Sequence, residues 1–416
     1  MIAIPEPLFD SLDEVQSLIE NKRGIIIPPR IPSNAKEDYE QGLRFIYSYL
    51  GSEATFNAYR REVERLLQWV WFIAKKTLKE IHREDIENYI YFCQFPPESW
   101  IGTKNVPRFI LKEGLRMPHA EWRPFVASIS KSAFRHGEIP TQKKFNFSQK
   151  AIQAVFAILG SFFNFLVQEN YLGQNPVIQI RQKSKFIRKQ QSKAIVRRLS
   201  ELQWAYVIET AKKMATENPE EDERTLFMMS ALFGMYLRIS ELAASERWIP
   251  QMGDFYLDQD SNWWFTTVGK GNKQRDISVS DSMLDALKRY RLALGLAPLP
   301  ARGDTTPLIA KATGKGPISS TRHIRSIVQK CFDRAIEQLR ADGFQDDAEA
   351  LMSATVHWLR HTGISEDVKH RPREHVRDDA GHSSSAITDR YIDIERQARH
   401  ISAKNKRIDP DEPSER

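Results

Sequence analysis

Trp263-Trp264-Phe265-Thr266-Thr267-Val268 runs straight into Gly269-Lys270-Gly271-Asn272-Lys273, and Arg275-Asp276-Ile277-Ser278-Val279 follows. The first run is aromatic and β-branched, as strands are. The middle run holds two glycines, which accept the positive φ of a tight turn. The last run alternates polar and apolar, which suits a returning, half-buried strand. The surroundings of this hairpin are helical. Residues 202–214 and 226–242 before it, and 281–294, 323–339 and a segment after His357 beyond it, read as helices. The expected fold is mainly α, with a small antiparallel sheet in a mixed C-terminal domain.

Upstream, two stretches show helical periodicity. Thr55 is placed to cap a helix bearing Tyr59, Val63, Leu66, Leu67 and Val70 on one face, and Leu78, Ile81, Ile86 and Tyr89 continue at similar spacing. From Ser148, residues Ile152, Val155, Phe156, Leu159, Phe162, Phe163 and Leu166 form one apolar face, closed by Gly173 and Asn175-Pro176. Such a stripe is core packing. Residues 96–140 are rich in Pro, Gly and basic side chains, with Trp100 and Trp122 among them. A structureless loop of that length is disfavoured in a packed domain, so an insertion with some short helix is expected. Residues 1–35, with Pro28-Pro29 and Pro32, read as an N-terminal extension with little regular structure. No internal repeat is visible.

The chain has 416 residues, a prior of two or three domains. Hydrophobic residues make up 41% and charged residues 28%, ordinary for a soluble protein. Two cysteines, Cys93 and Cys331, exclude a disulfide-framed scaffold. No stretch approaches about 18 uninterrupted apolar residues, so no spanning helix is expected. No secretory signal opens the chain, and a cytoplasmic location is expected. The net charge of +7 is a weak pointer to nucleic acid. Its distribution says more: residues 181–198 hold eight Lys or Arg and no Asp or Glu. That stretch reads as a basic linker between a helical domain, 36–180, and a second domain, 199–400, with a polar tail at 401–416. It is either simply solvated or a strap along a phosphate backbone through Lys183, Lys185, Arg188 and Lys189.

Four signals in the C-terminal half carry chemistry: Arg238 with Glu241 one turn later on a helix; Lys270 in the hairpin turn; His357-Trp358-Leu359-Arg360-His361; and Gly381-His382 with Tyr391 nine residues on. Each alone is commonplace. In this joint order the sequence resembles the tyrosine recombinase (phage integrase) family, including its Xer-type members. The match spans about residues 198–391, and is weaker in the helical part before the linker.

The resemblance implies a helical, SAM-like core-binding domain followed by a mixed α/β catalytic domain. It implies a site-specific recombinase that cuts and rejoins DNA through a covalent 3′-phosphotyrosyl bond on Tyr391. Arg presents a permanently charged fork that fits two phosphate oxygens, so Arg238 and Arg360 form a clamp. His357 is the candidate for proton transfer at the nucleophile, His382 a hydrogen-bond donor to the phosphate, and Lys270 the acid for the leaving 5′-oxygen. Lys273 is the rival of Lys270. Glu241 is expected to hold Arg238, and His361 to face another way on its helix in a structural role. Trp263 and Trp264 are read as sheet core rather than as base-stacking residues. No cofactor and no metal are implied, and no P-loop, GxGxxG or HExxH motif is present. The implied partners are a double-stranded DNA recombination site and three further protomers, in a homotetramer or a heterotetramer with a second recombinase. No membrane partner is implied. Residues 392–408 are a possible helix for contact between protomers. Three departures stand out: Tyr236 where the family has Gly, Arg377-Asp378-Asp379-Ala380 where it is apolar, and Pro372 at a helix-to-helix turn. Other outcomes are a type IB topoisomerase or telomere resolvase, which share related sites, and a non-cleaving DNA-binding accessory protein.

Overall fold

The computed structural model describes residues 4–20, 31–49, 53–183, 197–269, 271–388 and 403–404. The chain divides into two units, Met1–Lys193 and Ala194–Arg416.

The first unit runs α1 (Leu12–Glu20), α2 (Lys36–Tyr47), α3 (Glu53–Trp69), α4 (Arg83–Gln94), β1 (Ile101–Gly102), β2 (Phe109–Lys112), β3 (Leu115–Pro118), β4 (Phe125–Val126), α5 (Lys131–Arg135), α6 (Gln149–Gln168) and α7 (Pro176–Lys183). Ser148 starts α6 by accepting a hydrogen bond from the Ala151 N–H at 3.2 Å. Every residue of the expected apolar face of α6 is buried against α2 and α3. By length and composition α6 could cross a membrane, at 20 residues and mean hydropathy 1.7. Its apolar face is instead the core of this unit.

Three expectations are corrected here. Thr55 lies inside α3 and does not cap it. Leu78 and Ile81 do not continue that helix, which ends in a π-turn at Lys75 with φ 54, and α4 starts anew. Among the described residues of 1–35, residues 4–20 are not an irregular extension but include α1. Leu8, Phe9 and Val15 are buried in the core, and the Leu8 and Phe9 N–H groups donate to the buried carboxylate of Glu64. Three apolar residues outweigh the proline-rich stretch after them. The 96–140 insertion holds the expected short helix, α5, capped by Ser130. It also holds a parallel pair, β1 with β4, and an antiparallel hairpin, β2 with β3, turning at Glu113 and Gly114.

The second unit runs α8 (Glu201–Glu217), α9 (Pro219–Gly234), α10 (Ile239–Leu242), β5 (Phe255–Leu257), β6 (Trp263–Val268), β7 (Gln274–Ser278), α11 (Asp281–Ala293), α12 (Thr321–Ala341), α13 (Gln345–Met352), α14 (Val356–Asp367), α15 (Arg373–Ala380) and α16 (Ser385–Thr388). The fold is mainly helical, and the opening hairpin forms as read. An unexpected third strand, β5, gives the antiparallel order β5-β6-β7, with Phe265 paired to both Phe255 and Ile277 inside the core. Trp263 packs on that core. Trp264 points to the other face, its indole N–H donating to Asp258 at 2.7 Å, so only Trp263 is sheet core. α9 lies among α8, α11 and α14.

The expected continuous helix over 226–242 is broken. α9 stops at Gly234, and Tyr236 takes φ 51, which no helix accommodates. The chain restarts in α10 with Arg238 as its extended N-cap residue.

Candidate active site

Arg360 comes from α14 and is 2% exposed. A buried guanidinium must be hydrogen-bonded, and two carbonyls do this. Nη1 donates to the Tyr236 carbonyl and Nη2 to the Ala380 carbonyl at 2.6 Å. Each carbonyl is turned inward beside a left-handed backbone position, Tyr236 itself or Gly381 with φ 62. Nη2 also lies 3.3 Å from His382 Nε2.

Arg238 does not sit within a helix, as the sequence pattern implied, but at the N-terminus of α10. Its N–H donates to Glu241 Oε2 at 2.8 Å and its Nη1 to Oε1 at 2.9 Å. Its Nη2 reaches the Gly381 carbonyl at 3.3 Å, while 28% of the side chain stays open to solvent. Glu241 therefore does hold Arg238, and it holds a second arginine that sequence reasoning missed. Arg275, from β7, places its fork on the two oxygens of Glu241 at 2.8 and 2.9 Å, and its Nε donates to the Asp379 carbonyl at 2.9 Å. Burial would raise the Glu241 carboxyl, but the bonds from Arg275 and Arg238 outweigh it and hold the group below the usual carboxylate range.

The hairpin turn meets this cluster at Gly269. A Cβ there would stand 3.0 Å from Arg275 Nη1 and from Glu241 Oε1, and 3.3 Å from Arg238 Nη1. A side chain there would press on all three groups. Lys270, the next residue, lies outside the described residues, and Lys273 is exposed.

Gly381 ends α15, and there too a side chain is excluded, since a Cβ would be 2.8 Å from Arg275 Cδ. His382 follows. Arg360 can only donate, so His382 Nε2 accepts, and the ring proton sits on Nδ1, 2.9 Å from Thr388 Oγ1 on α16. Burial, then Arg360, Arg238 and Arg275, push His382 down to about 4. His357 is pushed down as well, by burial, Arg360, Arg238 and Arg197. His361 lies beside it. The two rings touch edge to face at 4.3 Å, because residues four apart share a helix face. His361 is driven to about 4 by burial and by His357.

The acidic run before Gly381 is also explained. Asp379 turns inward and accepts from Arg371 Nη2 at 2.6 Å and Ser278 Oγ at 2.6 Å. Asp378 turns outward and pairs with Arg377. Arg238, His357, Arg360 and His382 are thus drawn into one electropositive neighbourhood. Tyr391, Lys185, Arg188 and Lys189 lie outside the described residues, as does the side chain of Lys183 and most of the possible helix at 392–408.

No protein-family model matches the chain. It is 24% identical over 176 residues to tyrosine recombinase XerC of Chlorobaculum parvum, a match covering 40% of this chain and 50% of the relative. It is 28% identical over 149 residues to tyrosine recombinase XerD of Rickettsia prowazekii, covering 35% of this chain and 43% of that one. These matches span about half the length of the curated relatives or less. In fold it resembles the XerH site-specific recombinase, solved in a post-cleavage complex with a palindromic difH substrate. The TM-score is 0.54 at 13% identity, with 96% of this chain and 99% of that chain covered. Over these partial lengths the chain is similar in sequence to two Xer tyrosine recombinases, and its fold is that of a third.

Proposed function

We propose that the protein is a site-specific DNA recombinase that exchanges strands through a covalent 3′-phosphotyrosyl intermediate. The observation that carries this reading is the grouping of Arg238, Arg360 and His382 around two left-handed backbone positions, Tyr236 and Gly381. Arg360 Nη2 and His382 Nε2 are 3.3 Å apart, and both are linked through Gly381 and its neighbours to Arg238. Two fixed guanidinium groups stabilise the extra negative charge of a pentacoordinate phosphate, and one such donor is commonly worth about 10²–10³ in rate.

The Tyr391 oxygen attacks the scissile phosphorus and the bond to the 5′-oxygen breaks. His357 accepts the phenol proton, and Lys270 gives a proton to the leaving 5′-oxygen. His382, neutral in the free protein, becomes a donor to the phosphate once DNA brings negative charge beside it. Because the phosphodiester is conserved as a phosphotyrosine, attack by a 5′-hydroxyl reverses the step, with the same groups in opposite roles. The partner is duplex DNA, the assembly a tetramer, and the compartment the cytoplasm.

A nicked duplex carrying the recombination site tests this. The nick lets the short 5′-product diffuse away and traps the adduct. The wild-type protein gives an SDS-stable complex, and Tyr391→Phe abolishes it while duplex binding survives. An adduct formed by Tyr391→Phe defeats the assignment of the nucleophile. Supercoil relaxation without site preference identifies a topoisomerase instead, and binding without any adduct an accessory protein.

A further inference from the structure

Residue 236 is a tyrosine in a backbone conformation that bulky side chains rarely adopt, with φ 51. Its side chain is buried, 1% exposed, and fastened at the far end. The hydroxyl donates to the Asp367 carboxylate and accepts from Arg371 Nη1 at 3.0 Å. Asp367 ends α14, and Arg371 lies just beyond it. Arg371 Nη2 goes on to Asp379 of α15 at 2.6 Å and to Ser278 Oγ of β7 at 2.9 Å. The ring also lies against Gly363 of α14, where a Cβ would stand 3.2 Å from Tyr236 Cδ1. At its near end the same residue offers its carbonyl to Arg360 Nη1.

A glycine at 236 would supply the φ but no anchor. A tyrosine supplies both, tying the carbonyl that grips Arg360 to three elements behind the site. We propose that Tyr236 is a positioning residue, whose phenol, braced on Asp367 and Arg371, fixes its own carbonyl and thereby the guanidinium of Arg360. The function of that guanidinium rests on the recombinase reading above. Its placement does not.

Two measurements separate the two. In the first, Tyr236→Phe removes only the hydroxyl. The single-turnover rate of adduct formation on the nicked duplex falls about 10- to 100-fold, as small misplacements of catalytic groups do, while DNA affinity is unchanged. In an Arg360→Lys background the same change adds almost nothing, because residues acting through one another are not additive. Equal losses in both backgrounds, or no loss in the wild-type background, overturn the proposal. If Tyr236→Phe does not fold by far-ultraviolet circular dichroism, Asp367→Asn cuts the same anchor from its other end and enters the same cycle.

The second measurement needs no activity. With Nη1 and Nη2 bonded to different carbonyls, the Arg360 guanidinium rotates slowly about Nε–Cζ, which arginine-labelled nitrogen NMR detects after assignment by Arg360→Lys. Tyr236→Phe restores fast rotation. Slow rotation in Tyr236→Phe overturns the proposal even if the protein forms no adduct, whereas a missing adduct with fast rotation overturns the recombinase reading alone.

Discussion

Arg275 Nη1 and Nη2 stand 2.8 and 2.9 Å from the two carboxylate oxygens of Glu241, and Glu241 Oε1 is also 2.9 Å from Arg238 Nη1. One buried carboxylate thus joins the sheet to the loop that presents Arg238. Without it two cations would face each other with only backbone carbonyls between them.

Glu241→Ala should therefore cost about 3–5 kcal/mol, the usual loss when one partner of a buried pair is removed. Urea unfolding followed by fluorescence measures it. Glu241→Gln keeps the volume and loses less stability. It still lowers adduct formation, because Arg238 loses its charged anchor. A loss below about 1 kcal/mol for Glu241→Ala, the range of exposed pairs, would mean that the cluster is solvated.

Gly381→Ala should be destabilising for two separable reasons. Its φ is 62, and a Cβ would stand 2.8 Å from Arg275 Cδ, in a side chain whose guanidinium is held by Glu241 and the Asp379 carbonyl. The backbone part alone is of order 1–3 kcal/mol. In an Arg275→Ala background the contact is gone, and the added cost of Gly381→Ala should shrink to the backbone part. An undiminished cost would show that the contact contributes nothing.

The hairpin and α6 were legible because their signals are local: alternation around a glycine turn in one, an uninterrupted apolar face after a Ser cap in the other. The break before Arg238 was not. A left-handed residue announces itself as Gly or Asn, and Tyr236 does so as neither. Arg275 was read only as a polar position of a strand, because its partner is 34 residues away and the pairing is tertiary. The contact of His361 with His357, one turn back, does not follow from its position next to Arg360 in the sequence. The N-terminal segment was judged on its prolines, although Leu8, Phe9 and Val15 carried the burial signal. The β2–β3 hairpin lacked polar alternation, since Leu111 and Leu115 are 71% and 67% exposed, yet Glu113-Gly114 was a usable turn signal.

Acid should destabilise the second unit through its histidines. His361 and His382 are pushed down to about 4 by burial and nearby cations, against 6.5 for the free side chain. Between these values the unfolded chain binds more protons than the folded one, so stability rises with pH across that window and levels off above it. Urea midpoints at pH 7 and pH 5 check the sign. His382→Asn, which keeps a polar ring-sized group, should flatten part of the slope. A midpoint that rises on acidification would contradict it. Adding DNA should raise His382 part of the way back: burial, the larger cause, persists, but a phosphate beside Arg360 offsets the cationic share, and histidine NMR in the complex reads this directly.

The basic stretch over residues 181–198 makes a separate demand on binding. Each Lys or Arg that neutralises a phosphate releases a condensed counterion, and log K then falls with log salt by about 0.9 per contact. Lys183, Lys185, Arg188 and Lys189 carry four of the eight positive charges in residues 181–198, which have no acidic residue to compensate them. If all four track the backbone, replacing them with Gln should reduce the salt slope by about 3 to 4 and weaken specific and nonspecific duplexes alike. Because none of them is placed in the catalytic site, the adduct rate at saturating protein should hold. Fluorescence anisotropy from 50 to 300 mM salt, on a site-bearing and a scrambled duplex, supplies both slopes. A slope that does not move would leave this segment a solvated connector, and a loss confined to the site-bearing duplex would mean that it reads base sequence rather than phosphate.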